Sequence, residues 1–240
     1  MKKVRCFLLP EDCPPQVGPN VVVIDVLRAS TTICASIANG ATCVKPFLEF
    51  EQAQQWAQAE NVNELVVLTG GERGGEKLPG FDLGNSPLEY APARVAGKKI
   101  AFSTTNGTRA MEKCRAADQV VIGAFCNLSA VARYFQIEDE LDIVCAGTDR
   151  QFSVEDSAFA GALIERFCLN HEYSLDEGGD KCLKLWQESK DNLLATLRAG
   201  LGGMNLIRLG RDQDIEFAAT LDSYSLVPKL DIPEWKIEPA

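Results

Sequence analysis

The chain has 240 residues, 46% of them hydrophobic and 24% charged, with a formal net charge of −10 at pH 7. That length buries a sizeable core, and the acidic balance repels nucleic acid and anionic membranes, which excludes both as partners. A small anionic ligand must therefore be gathered locally, by arginines, dipoles or a metal ion. The nine cysteines form no CxxC pair and mostly sit inside apolar runs such as Ile33-Cys34-Ala35, the pattern of reduced, buried thiols in a cytoplasmic protein. With one histidine, His171, which is read as structural, no zinc site is expected. The N-terminal stretch up to Pro10 is too short for a signal peptide, and no window reaches membrane-spanning length.

In chain order, β-branched runs predict strands at Val4–Leu9, Val21–Asp25, Ala41–Pro46, Glu64–Leu68, Lys99–Ser103, Gln119–Gly123 and Leu141–Ala146. Helical patterns lie between and after them, at Ala29–Asn39, Phe50–Ala59, Pro87–Arg94, Gly107–Ala116, Leu128–Phe135 and Glu155–Leu169. This alternation predicts a three-layer α/β/α domain with a mostly parallel, mixed sheet. No Pro/Ser-rich linker interrupts the chain. Residues 1–170 therefore read as the core of a single domain, and 171–240 as a mainly helical extension packing on it. Leu226–Leu230 is read as a last strand or a strap across the core. A loop of 17 residues between Thr69 and Pro87 carries six glycines and several charges, and loops of that length are uncommon unless they serve function or are disordered.

Residues 100–109, Ile-Ala-Phe-Ser-Thr-Thr-Asn-Gly-Thr-Arg, run from an apolar strand into Ser103, Thr104, Thr105, Asn106, Gly107 and Thr108. One hydroxyl suffices to cap a helix, and four predict an anion cradle at the helix start. Asp25 ends another buried strand, followed by Arg28, Ser30, Thr31 and Thr32. A carboxylate there either caps the next helix or serves Mg2+ or phosphorus chemistry, and the arginine is better matched to an oxyanion with a metal. The sequence departs from the haloacid-dehalogenase phosphatase motif, because Leu27 stands where a second aspartate belongs. In the long loop, Arg73 offers a planar fork for phosphate, carboxylate or sulfonate, with Glu72 to orient it or to bind metal. Asp82 reads as a turn former or a ligand, and Asn85 and Ser86 as helix caps or ligand contacts. Glu155 and Asp156 head a long apolar helix; they complement its dipole, or one of them is a second metal ligand. No Walker-type glycine-lysine loop occurs, which argues against a nucleotide-dependent kinase. A noncatalytic anion-binding module remains the alternative to an enzyme.

The segments VVIDVLRASTTI (22–33), GGERGGEKLPGFDLGNSP (70–87), FSTTNGTRA (102–110), GAFCN (123–127) and CAGTDRQFSVEDSAFAG (145–161) together resemble the 2-phosphosulfolactate phosphatase family. DIEFAATLDSYSLVPKL (214–230) is similar to it as well. The resemblance implies a Mg2+-dependent α/β hydrolase, distinct from the better-known phosphatase superfamilies. It would release phosphate from 2-phosphosulfolactate, a step toward coenzyme M, or from another phosphorylated hydroxy acid. On this reading Asp25, Arg28, Arg73 and Asn106 are the catalytic candidates. Substrate contacts are expected from Ser30, Thr31, Glu72, Asn85, Ser86, Ser103, Thr104, Thr105, Gly107 and Thr108. Asp25 is expected to hold Mg2+ with Glu155 or Asp156, joined by Asp82 or Glu72. The partner is a small anionic phosphorylated substrate, and a homodimer is the expected assembly.

Overall fold

The computed structural model of the chain describes residues 2–61, 66–169 and 172–240. The first residues of the strand expected from Glu64, and His171, lie outside them.

Among the described residues, eleven strands form one mixed sheet. They are β1 (Lys2–Phe7), β2 (Asn20–Ile24), β3 (Cys43–Phe47), β4 (Val67–Arg73), β5 (Glu76–Lys77), β6 (Lys99–Ser103), β7 (Gln119–Gly123), β8 (Glu140–Cys145), β9 (Tyr173–Leu175), β10 (Pro228–Asp231) and β11 (Lys236–Pro239). The spatial order is β5-β4-β6-β3-β11-β10-β7-β2-β8-β1-β9. The α-helices of the described residues are α1 (Ala29–Ala38), α2 (Phe50–Asn61), α3 (Pro92–Val95), α4 (Gly107–Glu112), α5 (Leu128–Tyr134), α6 (Val154–Cys168), α7 (Glu177–Ser189), α8 (Leu193–Ala199), α9 (Leu201–Arg208) and α10 (Asp212–Ala218).

Alternation along β2 shows why helices lie on both faces. Val22 and Ile24 join an apolar cluster with Phe159 and Leu163 of α6, while Val21 and Val23 join a second cluster with Ile33 of α1 and Met111 of α4. A strand buried on both faces needs a continuous run of β-branched residues, and Val21-Val22-Val23-Ile24 supplies it. The α/β class is as the alternation predicts. Among the described residues, no helix is long and apolar enough to cross a membrane. All nine cysteines are free thiols.

The C-terminal residues do more than pack on a finished core. The β10–β11 hairpin stands in the middle of the sheet, with β10 antiparallel to β7 and β11 antiparallel to β3. It joins two parallel blocks, β4-β6-β3 and β7-β2-β8-β1-β9. Three antiparallel steps leave these blocks running in opposite senses. Residues of both blocks, Val23 on one side and Phe102 on the other, share one apolar cluster with Leu230 and Ile237 of the hairpin. The turns after β2 and β6, both expected to carry function, thus belong to blocks of opposite sense, and not to one edge of a single parallel sheet.

The long glycine loop is also partly strand. β4 runs through Arg73 and folds back on β5, with Gly74 and Gly75 turning at φ 61° and 83°. The helix expected over Pro87–Arg94 splits into a 3-10 turn at Pro87–Glu89 and the short α3, because Pro92 has no N–H to continue the first segment.

Candidate active site

A cleft of about 250 Å3 opens where the β2–α1 turn, the β4–β5 hairpin, the β6–α4 turn and α9 meet. Asp25 forms part of its lining, just past the buried end of β2. Its backbone N–H donates to Ser30 Oγ (2.8 Å), and its Oδ1 accepts from the Ala29 N–H (3.3 Å). Gly107 lies against it so closely that a Cβ there would come within 2.9 Å of Asp25 Oδ2. Burial pushes the Asp25 carboxyl up to about 7 from 3.8; the Ala29 N–H opposes this, and the charges of Glu72 and Glu155 add to it.

Glu72 and Arg28 build one wall. Glu72 Oε1 accepts from both the N–H and the hydroxyl of Thr105 (3.0 Å each), and Oε2 accepts from the Gly75 N–H (2.7 Å). Arg28, reached through a cis Leu27–Arg28 peptide, donates to the Gly75 carbonyl (2.6 Å) and to Asp214 Oδ2 of α10 (2.8 Å). Ser86 Oγ donates to the other oxygen of Asp214 (2.5 Å). The Arg28–Asp214 pair is buried, with side chains 4% and 2% exposed. Removing one partner of such a pair strands the other charge, at a cost of about 3–5 kcal/mol. Asp214→Ala is therefore expected to lower stability by about that amount in denaturant unfolding, and Asp214→Asn by less, since an amide oxygen still accepts from Arg28.

Glu155 and Asp156 divide their roles. Both Asp156 oxygens accept backbone N–H groups, from Val26 (2.8 Å) and Gly147 (3.1 Å), and Ser153 caps the helix by accepting from the Asp156 N–H (3.2 Å). Asp156 thus ties α6 to the ends of β2 and β8. Burial, with Asp25 and Glu155 nearby, drives its carboxyl well above the ordinary aspartate range. Glu155 accepts from the Thr148 hydroxyl at 3.4 Å through Oε1, while its buried Oε2 has no hydrogen-bond partner. Burial raises its pKa too. The buried amide oxygens Asn85 Oδ1 and Asn106 Oδ1 are likewise unpartnered, and both residues line the cleft.

Several candidates stand elsewhere. Arg73 leaves the cleft: its guanidinium donates to the carbonyls of Glu72 and Leu48 (2.7 Å each) and to Ser103 Oγ (3.0 Å), over the Phe50 ring. Side chains alternate along a strand, so Glu72 facing the cleft turns Arg73 away. Asp82 is exposed and accepts from the Thr69 N–H and hydroxyl (2.8 and 2.9 Å), holding the loop to β4. Four hydroxyls do not form an anion cradle. Ser103 pairs with Arg73, and Thr104 and Thr108 are buried against each other at 3.4 Å, so that Thr105 alone of the four lines the cleft. Ser30 and Thr31 are also taken up locally, the latter donating to the Val26 carbonyl (2.7 Å). Each buried hydroxyl needs a partner, and nearby backbone supplies it.

Residues not singled out in the sequence complete the cleft. The Thr148–Gln151 turn, with Asp149 and Arg150 left-handed at φ 51° and 60°, brings Thr148 and Asp149 to the rim. Gly202, Asn205 and Leu206 occupy one face of α9 at helical spacing, with Leu209 just past its end and Arg208 beside them. A Cβ on Gly202 would meet Glu155 Oε1 at 2.1 Å, so only glycine lets α9 sit this close. The readable signals in the sequence are the Gly202-Gly203 pair and the 202, 205, 206, 209 spacing.

The α/β fold thus carries a cleft lined by the carboxylates of Asp25, Glu72 and Asp149, with the Arg28 guanidinium fixed in its wall. The profile of the 2-phosphosulpholactate phosphatase family matches residues 7–232, and the chain belongs to that family of hydrolases. A relative from Caldanaerobacter subterraneus subsp. tengcongensis is 42% identical over 212 residues, 88% of this chain and 87% of its own length. Others come from Symbiobacterium thermophilum (42% over 213 residues, 88% and 91%) and Thermotoga maritima (38% over 218 residues, 91% and 92%). All three carry the name "Probable 2-phosphosulfolactate phosphatase".

Proposed function

We propose that this chain hydrolyses the phosphate monoester of 2-phosphosulfolactate to sulfolactate and inorganic phosphate, with Mg2+, as a step toward coenzyme M. The observation that carries this is the cluster of Asp25, Glu72, Glu155 and Asp156, raised or buried beside unpartnered oxygens of Glu155, Asn85 and Asn106. Burial and mutual charge oppose ionisation of these carboxyls, which favours a cation among them, and the donors are all oxygen, as Mg2+ prefers.

Among the described residues no three acidic, histidine or cysteine side chains are already gathered as a metal-binding group. Asp25 and Glu155 suffice, because Mg2+ is commonly held by one or two carboxylates together with substrate phosphate. Glu72 and Asp156 have both oxygens occupied by N–H or O–H donors, so they brace the site. When bound, Mg2+ supplies Lewis acidity at the phosphoryl oxygens.

The remaining roles belong to the chain itself. Arg28, clamped between Asp214 and Gly75, keeps its fork immobile, so it stabilises charge on the transferring phosphoryl group without reorganising. Asn106 and Thr105 position the ester beside Asp25. Asp25 acts at phosphorus, either as the attacking carboxylate or as the base for the attacking water. Hydroxylamine capture of an acyl phosphate after rapid quench assigns the first route, and its absence the second.

Phosphate release from a panel of phosphorylated hydroxy acids, ranked by kcat/KM with and without Mg2+, tests the assignment. The sulfonated ester should rank first by at least about tenfold, the worth of one well-placed charged contact. A higher rank for a sulfonate-free ester would reassign the substrate.

A further inference from the structure

The cleft is lined by two arginines, and they differ. Arg28 is buried and already bonded to Asp214 and Gly75, whereas the side chain of Arg208, in the last turn of α9, makes no hydrogen bond or ion pair among the described residues. Helix α9 passes over the acidic floor. Gly202 near its start touches Glu155, and Arg208 lies six residues on, about 9 Å further along the axis at 1.5 Å per residue. Gly202 thus stands over the floor, while the flexible Arg208 side chain starts from the mouth of the cleft.

We propose that Arg208 is a specificity-determining residue that binds the second strong anion of the substrate, its sulfonate, while the floor holds the phosphate. The inference rests on the phosphatase reading above. Several observations favour it over a solvated helix end. The rest of the lining is acidic or neutral: Asp25, Glu72 and Asp149 are acids, and Asn85, Thr105, Asn106, Thr148 and Asn205 are uncharged. A ligand carrying phosphate, carboxylate and sulfonate meets repulsion everywhere in such a cleft except at the floor, once cation-filled, and at the two arginines. Arg28 is too deep and too committed to follow a substituent at the mouth. Arg208 has its whole guanidinium available, and its planar fork suits two oxygens of a sulfonate. Neighbouring Leu206 and Leu209 line the same face and supply the apolar surface against which the methylene carbon bearing the sulfonate would rest.

The test compares wild type, Arg208→Gln and Arg208→Lys on 2-phosphosulfolactate and on 2-phospholactate, which lacks the sulfonate, reading kcat and KM separately. For Arg208→Gln, KM for the sulfonated ester should rise roughly 10- to 100-fold, the usual loss for a charged hydrogen-bond partner, while kcat moves little. The preference for the sulfonated ester should collapse by the same factor. Arg208→Lys, keeping charge without the fork, should recover part of it. An equal KM increase on both esters, or none on either, overturns the proposal even if wild type prefers the sulfonated ester. A wild-type enzyme that hydrolyses 2-phospholactate but not 2-phosphosulfolactate overturns the substrate reading itself, and the sulfonate role with it.

Discussion

Asp25→Asn should lower kcat by roughly 10³-fold while leaving the chain folded, the range expected when a positioned acid–base or nucleophilic carboxylate is removed. The amide is nearly isosteric and keeps an oxygen to accept the Ala29 N–H, so the β2–α1 turn retains its anchor. The Ser30 hydroxyl still accepts from the backbone of residue 25. Stability near pH 8 should not fall and should rise somewhat, because one of several crowded carboxylates no longer ionises beside Glu72 and Glu155. Steady-state kinetics with thermal unfolding on the same preparation checks both halves. Turnover within about tenfold of wild type would remove Asp25 from the chemistry.

Withdrawal of Mg2+ should have an effect of similar size, and it leaves a signature independent of turnover. Chelation with EDTA should reduce phosphate release by roughly 10³-fold, equivalent to the several kcal/mol a metal contributes to charge stabilisation. The metal-free protein should also show an unusual pH dependence. A carboxyl whose folded pKa is raised, here from 3.8 to about 7 for Asp25, prefers its protonated form in the native state. Its stabilising contribution is complete below about pH 4 and is lost as pH climbs toward 7, the reverse of a salt-bridged aspartate. Tm of the EDTA-treated protein should therefore fall across that window, and Asp25→Asn should flatten the decline. Adding Mg2+ should restore Tm most at pH 7–8, by about 2.7 kcal/mol at a hundredfold excess over Kd. A Tm that Mg2+ leaves unmoved at every pH, with full activity in EDTA, would show that the acidic floor works without a cation.

These effects trace back to a few segments whose local chemistry was legible early. The run Val21–Ile24 ending in Asp25 announces a buried strand delivering a carboxylate, since β-branched residues fill a sheet covered on both faces. Lys99–Ser103 and Gln119–Gly123 form strands with the boundaries their patterns predict. The hydroxyl-rich turn after β6 was legible as unusual but not in its purpose. Composition counts donors, and only the packed structure shows that Ser103, Thr104 and Thr108 find partners away from the cleft.

By itself, then, the sequence determined the α/β class and the family, and it singled out Asp25, Arg28, Glu72 and Asn106, which the fold places in the lining of one cleft. Those follow from periodicity and local motifs, which act over a few residues. Tertiary structure alone decided that Arg73 faces outward beside Phe50, that both Asp156 oxygens accept backbone N–H groups, and that Asp214 holds Arg28 across 186 positions of chain. It also decided that the β10–β11 hairpin closes the middle of the sheet and that α9 roofs the cleft. Such relations depend on register and close approach between distant segments, a matter of shape that residue type and spacing along the chain do not encode.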